Sequence, residues 1–267
     1  MKWFARTLIF VSIAFTWFLS AAFAGSEPKI PPHLEWAETL VRELQPDCNV
    51  YAYKPMYVRW KGEDRAERFE ARCDCSGMLT FLMEHSYGYS PGDLKRWTGK
   101  YRPVARVYHD QIEQEHGFKR IRLVGDILPG DILAVKFLSP VKDTGHVMIV
   151  ASTPGRRQAS EPFETGMDQW EVEVIDSAMS GHGLADTRHK IEGGYSTGVG
   201  RGTFRLYSDA HGVVIGYTWS TSRKSKIYQG PERDLVIGRL APGFSPVRSQ
   251  RAAPPAGNGL ASTPGRQ

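Results

Sequence analysis

The stretch Arg72-Cys73-Asp74-Cys75-Ser76-Gly77, running on into Met78-Leu79-Thr80-Phe81-Leu82-Met83 and closing at Gly88, decides how this chain is read. Ser76 to Ser86 is too apolar for a surface helix and Gly88 offers a glycine stop, so the pattern predicts a largely buried helix with Cys75 at its N-terminus. A thiol attacks only as thiolate, and the first turn of a helix supplies unpaired N–H groups and a positive dipole end that favour the anion. A lone cysteine more commonly packs as a small hydrophobe. Here the charged residue before Cys75 and the Ser-Gly after it favour a nucleophile.

Working outward, His33 to Gln45 carries Ala37, Leu40, Val41 and Leu44 at helical spacing and stops at Pro46. Val50 to Trp60 is aromatic and extended in character, and Lys61 to Arg72 reads as a charged loop or short exposed helix. A second amphipathic helix is predicted over Val104 to His116, ending at Gly117. Short strand candidates follow at Ile132–Phe137, His146–Ser152, Trp170–Asp176, Thr203–Tyr207, Val213–Trp219 and Leu235–Leu240, with Asp209-Ala210-His211-Gly212 as a hairpin turn. Thr153 to Gln169 reads as a surface loop, and Gly198-Val199-Gly200-Arg201-Gly202 as a glycine-rich loop that precedes a strand and so is no phosphate cradle. Helices first and strands after favour an α+β domain.

A nucleophilic cysteine needs a base. His146 opens the apolar run His146-Val147-Met148-Ile149-Val150 directly after Asp143-Thr144-Gly145, which fixes its ring at the start of a buried strand beside a turn. Eight histidines make composition a poor guide, and a surface role is the default for His109, His116 and His211. The base is usually oriented by a third polar group. Asp176 ends the alternating strand Glu171 to Asp176, which could pair antiparallel with the histidine strand and bring its carboxylate to the imidazole.

The N-terminus has the layout of a secretory signal: Lys2 and Arg6, the apolar run Leu8 to Leu19, then Ala22-Phe23-Ala24 as an A-x-A cleavage site. Three divisions are expected: a signal over 1–24, a catalytic domain over 25–242, and a disordered Pro/Ala-rich tail over 243–267. A periplasmic or secreted location follows, with no stable membrane insertion after signal removal. Losing the leader would lower the net charge from +5 to +3, too mild a surplus to argue for nucleic acid. Three cysteines in an oxidising compartment leave one unpaired, and a Cys48–Cys73 disulfide with Cys75 free is one consistent answer.

Taken in order, Asp74-Cys75-Ser76-Gly77, Leu128-Pro129-Gly130-Asp131-Ile132, Gly145-His146-Val147 and Val174-Ile175-Asp176-Ser177-Ala178 resemble the NlpC/P60 family of cell-wall cysteine peptidases over roughly Glu35 to Ala178. The resemblance implies a papain-like fold, helices packed on an antiparallel β-sheet, with Cys75 as nucleophile, His146 as base and Asp176 as the third member where the family more often has histidine. It also implies a tyrosine near the developing oxyanion, for which Tyr57 is the candidate. The substrate it implies is an amide bond in the stem peptides of peptidoglycan, cleaved without a cofactor. Two rivals stand beside it: a papain-like amidase or acyltransferase acting on something other than peptidoglycan, and a non-enzymatic redox or metal-binding protein using Cys73 and Cys75. The second lacks the two-residue spacer and the second cysteine pair that such sites use.

Overall fold

A computed structural model of the protein describes residues 30–138, 143–230 and 232–246. The expected signal segment and all but the first residues of the expected tail lie outside them. No described helix is long and apolar enough to cross a membrane.

The first described element is α1 (Pro32–Glu43), opened by a proline at its first position and burying Leu34, Ala37 and Leu40. Three short strands follow, β1 (Asn49–Val50), β2 (Tyr57–Arg59) and β3 (Glu70–Arg72), in the order β1-β3-β2. From β3 the chain runs directly into α2 (Cys75–Tyr87), so Cys75 is the first helical residue. Asp74 caps this helix, its carboxylate accepting from the Gly77 N–H at 2.6 Å, and Gly88 stops it at φ 67°. α3 (Pro91–Thr98) comes next. It was not expected, although Ser90 and Asp93 form a full capping box at its start. α4 (Ala105–Glu113) is the last α-helix among the described residues, slightly shorter than the Val104 to His116 expectation.

The rest is one antiparallel sheet made of β4 (Phe118–Ile121), β5 (Ile132–Phe137), β6 (Gly145–Val150), β7 (Gly155–Arg156), β8 (Asp168–Ala178), β9 (Gly198–Ser208), β10 (Val214–Thr218) and β11 (Arg233–Leu240). Its order is β10-β9-β8-β6-β5-β11-β4, with β7 pairing β8. The protein is thus mixed α+β, with a curled antiparallel sheet. Alternation along β5 shows how the sheet is buried on both faces. Ile132 and Ala134 join the helical side with Leu40, Met78, Leu82 and Tyr108, whereas Leu133 and Val135 face a second cluster with Met148, Val172, Phe204 and Tyr217.

Two readings need correction. The glycine-rich segment Gly198 to Gly202 is not a loop: it is the first half of β9, paired residue for residue with β8, Gly200 opposite Asp176 and Gly202 opposite Val174. The tail expected from 243 is packed at its beginning, where the Phe244 ring lies 4.9 Å from that of Trp97 and its carbonyl accepts from the Tyr89 hydroxyl.

Candidate active site

The chain leaving β3 gives Cys73 and Cys75 different surroundings at the start of α2. Cys73 is fully buried in the helical core, and burial pushes its thiol up to about 12. Its backbone carbonyl accepts from the Ser177 hydroxyl at 2.7 Å, which ties β3 to β8. Cys75 instead lines a cleft of about 440 Å³ with Tyr51, Tyr53, His146, His182 and Trp219 among its walls. In α2 the Gly77 N–H is taken by Asp74, while the Cys75 and Ser76 N–H groups lie in the first turn, where no intrahelical acceptor exists. They are free to meet an anion.

His146 lies on β6 at the rim of the cleft, and its Nε2 is 2.5 Å from Asp176 Oδ2. Nδ1 is then the nitrogen left for Cys75, which lines the same cleft. Burial works to lower the His146 pKa, but the Cys75 charge and the bond to Asp176 overcome it and raise it to about 10. Asp176 is completely buried on β8, which pairs antiparallel with β6 through Ile149–Ile175 and Val150–Val174. Burial would raise its pKa, yet Arg188, His182 and the His146 bond hold the carboxyl well below the usual carboxylate range. Cys75, His146 and Asp176 are therefore brought together in the order a nucleophile, base and orienting carboxylate require.

Three residues that the sequence did not single out complete the site. His182 places Nε2 2.9 Å from Asp176 Oδ2, the oxygen already bound to His146. Arg188 reaches Asp176 Oδ1 at 2.9 Å and is held from behind by Asp186 through bonds of 2.8 and 2.9 Å. All three belong to the long connection between β8 and β9, which has no periodicity to betray it. The signal they left was only negative, a run of charged residues flanked by glycines.

Two expectations fail here. Tyr57 does not reach the cleft. It pairs with Arg72 on β2, with the Arg59 guanidinium 4.9 Å from its ring centroid. β2 lies on the side of β3 away from β1, and the chain leaving β1 brings Tyr51 and Tyr53 to the cleft instead. The Cys48–Cys73 bridge is absent, and all three cysteines are free. The parallel register sets Asn49 opposite Ala71 and Val50 opposite Arg72, so Cys48 and Cys73 are offset by three positions along neighbouring strands. At about 3.3 Å per residue that is roughly 10 Å, beyond the reach of a disulfide.

Among the described residues His146, Asp176 and His182 form the one group whose ligand-type atoms lie close enough together to hold a metal ion, all within 4.8 Å of one another. Their separations of 2.5 and 2.9 Å are hydrogen-bond lengths, whereas atoms bound to one tetrahedral zinc ion lie more than about 3 Å apart. Arg188 already supplies a cation to the same carboxylate. The group fits a hydrogen-bonded network better than a metal centre, and neither Cys73 nor Cys75 belongs to it.

No family model matches the chain, and no solved structure matches it. The uncharacterized protein R653 of Acanthamoeba polyphaga mimivirus is 31% identical over 220 residues, which span 79% of this chain and 96% of the viral protein. At that identity and coverage the protein belongs to the same family as the viral protein R653.

Proposed function

We propose that the protein is an exported cysteine hydrolase of papain-like, NlpC/P60 type that cleaves amide bonds, with peptidoglycan stem peptides as its substrate. The observation that carries this reading is the grouping at one cleft: Cys75 at the helix start, His146 beside it in the cleft wall, and the buried Asp176 2.5 Å from the His146 Nε2. A mere packing cysteine would need neither partner.

The mechanism is acyl transfer. The Cys75 thiolate adds to the amide carbonyl, and the oxyanion forms within reach of the unpaired N–H groups of Cys75 and Ser76. His146, an imidazolium at neutral pH, gives its proton to the leaving amine as the C–N bond breaks. The thioester is then attacked by water, whose proton returns to His146, and the acid leaves as the thiolate is regenerated. Tyr51, at the cleft wall, is the tyrosine available to the oxyanion in place of Tyr57.

Purified muropeptides incubated with the wild type and with Cys75→Ala, and analysed by mass spectrometry, test the proposal. Fragments should appear with the wild type alone, the variant being slower by at least about 10³-fold. If the wild type leaves muropeptides intact but consumes another amide or ester in a Cys75-dependent way, the substrate assignment is wrong and the triad survives.

A further inference from the structure

His182 has no part in the chemistry described so far, yet it is buried against the carboxylate that orients the base. Its Nδ1 is 2.6 Å from the Trp219 carbonyl oxygen, and its Nε2 is 2.9 Å from Asp176 Oδ2. A carbonyl can only accept, and so can an ionised carboxylate. Both ring nitrogens must then donate, which makes His182 an imidazolium. A protonated Asp176 would relieve that demand, but Arg188 on its other oxygen keeps the carboxyl ionised.

From this geometry we infer that His182 is a positioning residue, a fixed buried cation that shares Asp176 with His146 and limits how tightly the carboxylate holds the proton His146 must release. The inference rests on the reading of Cys75 and His146 as nucleophile and base. Its logic is one of balance. With Cys75 as thiolate, the buried string alternates Cys75 (−), His146 (+), Asp176 (−), His182 (+), Arg188 (+) and Asp186 (−), and sums to zero. Without His182 the string is net negative, and His146 sits beside a carboxylate with a cation on only one oxygen. An imidazolium held that firmly is a poor acid toward a leaving amine.

Among the described residues, the charged groups around His182 are those of the same network. Asp186 accepts the His182 backbone N–H at 2.8 Å and Arg188 stands behind Asp176, both from the same connection. β6 contributes His146. β9 offers the Phe204 ring at 6.1 Å, and the chain beyond β10 offers the Trp219 ring at 6.4 Å and its carbonyl.

The test is the pH dependence of Cys75 alkylation by iodoacetamide, which needs no substrate, measured on the full chain for wild type, His182→Gln and a Cys75→Ser background control. The wild type should react through a broad plateau in which the thiolate is paired with imidazolium, bounded above by His146 losing its proton. Replacing His182 should move that upper bound to higher pH by about one unit, because a nearby positive charge is gone. An unmoved or lowered bound overturns the inference, since a merely structural histidine would cost rate or stability without raising it. If the wild type itself shows no such plateau, the nucleophile reading fails first. A second measurement stands independently of the variant: in wild-type protein with ¹⁵N-labelled histidine, the His182 ring should show two protonated nitrogens at pH 7.5. A neutral ring there overturns the inference equally.

Discussion

Asp176 is the residue on which the site turns, because each of its oxygens is committed: Oδ2 to two imidazoles and Oδ1 to Arg188. The charge of Cys75 and the bond to Asp176 raise the His146 pKa to about 10 from the usual 6.5, so the imidazolium persists well above neutrality and is lost as pH rises through that value. Asp176→Asn removes one of those supports, and the alkaline limb of kcat/KM should move down toward the ordinary histidine range. At pH 8 the rate should fall by about 10²–10⁴-fold. An unchanged limb would mean that Asp176 does not govern the base. Cys75, His146 and Asp176 were legible in the sequence because each sits at a boundary that pattern reveals: a helix start, a strand start and a strand end. His182, Asp186 and Arg188 were not, because only the tertiary fold brings an aperiodic connection back onto Asp176. Tyr51 and Tyr57 were indistinguishable for a related reason, since two short strands in one aromatic segment do not disclose which of them borders the helix.

At the scale of elements, β9 explains why that connection can fold where it does. Gly198, Gly200 and Gly202 recur at the strand period of two and therefore share one face, and that face is where the network lies. A Cβ on Gly200 would run into the Arg188 side chain, and one on Gly202 would overlap Asp186 and come within 2.9 Å of the His182 Cβ. Gly200 and Gly202, which looked like a loop, are thus the space into which Arg188, Asp186 and His182 pack, whereas Gly198 stands at φ 101° against Asn49. Gly200→Ala should destabilise the protein by about 1–3 kcal/mol in urea unfolding and slow Cys75 alkylation at neutral pH. Gly155→Ala is the matched control, since a Cβ there meets nothing within 4 Å. Equal stability of the two variants would refute the packing argument. The helix order and six of the strands could be read from periodicity, because apolar alternation survives in them. Gly198 to Gly202 could not, because glycine carries no hydropathy pattern and breaks the signal on which a strand is recognised. α3 went unread for the opposite reason: its capping residues, Ser90 and Asp93, were in plain view, but eight residues are too few for an apolar stripe to stand out.

For the whole molecule, the same electrostatic logic sets how stability follows pH, and the groups involved act in opposite directions. His146, raised in the fold, contributes stability that is fully present below its unfolded value of 6.5 and is lost as pH climbs through about 10. Asp176, lowered in the fold, contributes above the ordinary carboxylate range and loses that contribution only in strong acid. Between them lies His33, far from the cleft. It joins the start of α1 to the end of α2 and to the turn before β5: Nδ1 is 2.6 Å from the Tyr87 hydroxyl and Nε2 is 2.7 Å from the Gly130 carbonyl oxygen. The carbonyl requires Nε2 to donate, so Nδ1 accepts from the tyrosine, and the ring is held neutral. Burial lowers its pKa below 6.5, against smaller opposing effects of the Gly130 bond and Asp131. The unfolded chain therefore takes up a proton near pH 6.5 that the folded chain refuses until lower pH, and stability should fall as pH drops through that window. His33→Gln keeps an amide donor toward Gly130 but cannot titrate. It should cost about 1–2 kcal/mol at pH 7.5, where only the hydrogen bonding is impaired. The gap to the wild type should then narrow between pH 6.5 and pH 5, because the wild type alone is losing this contribution. Urea midpoints of both proteins across that range measure it, and a gap that stays constant would show that the His33 proton is not linked to folding.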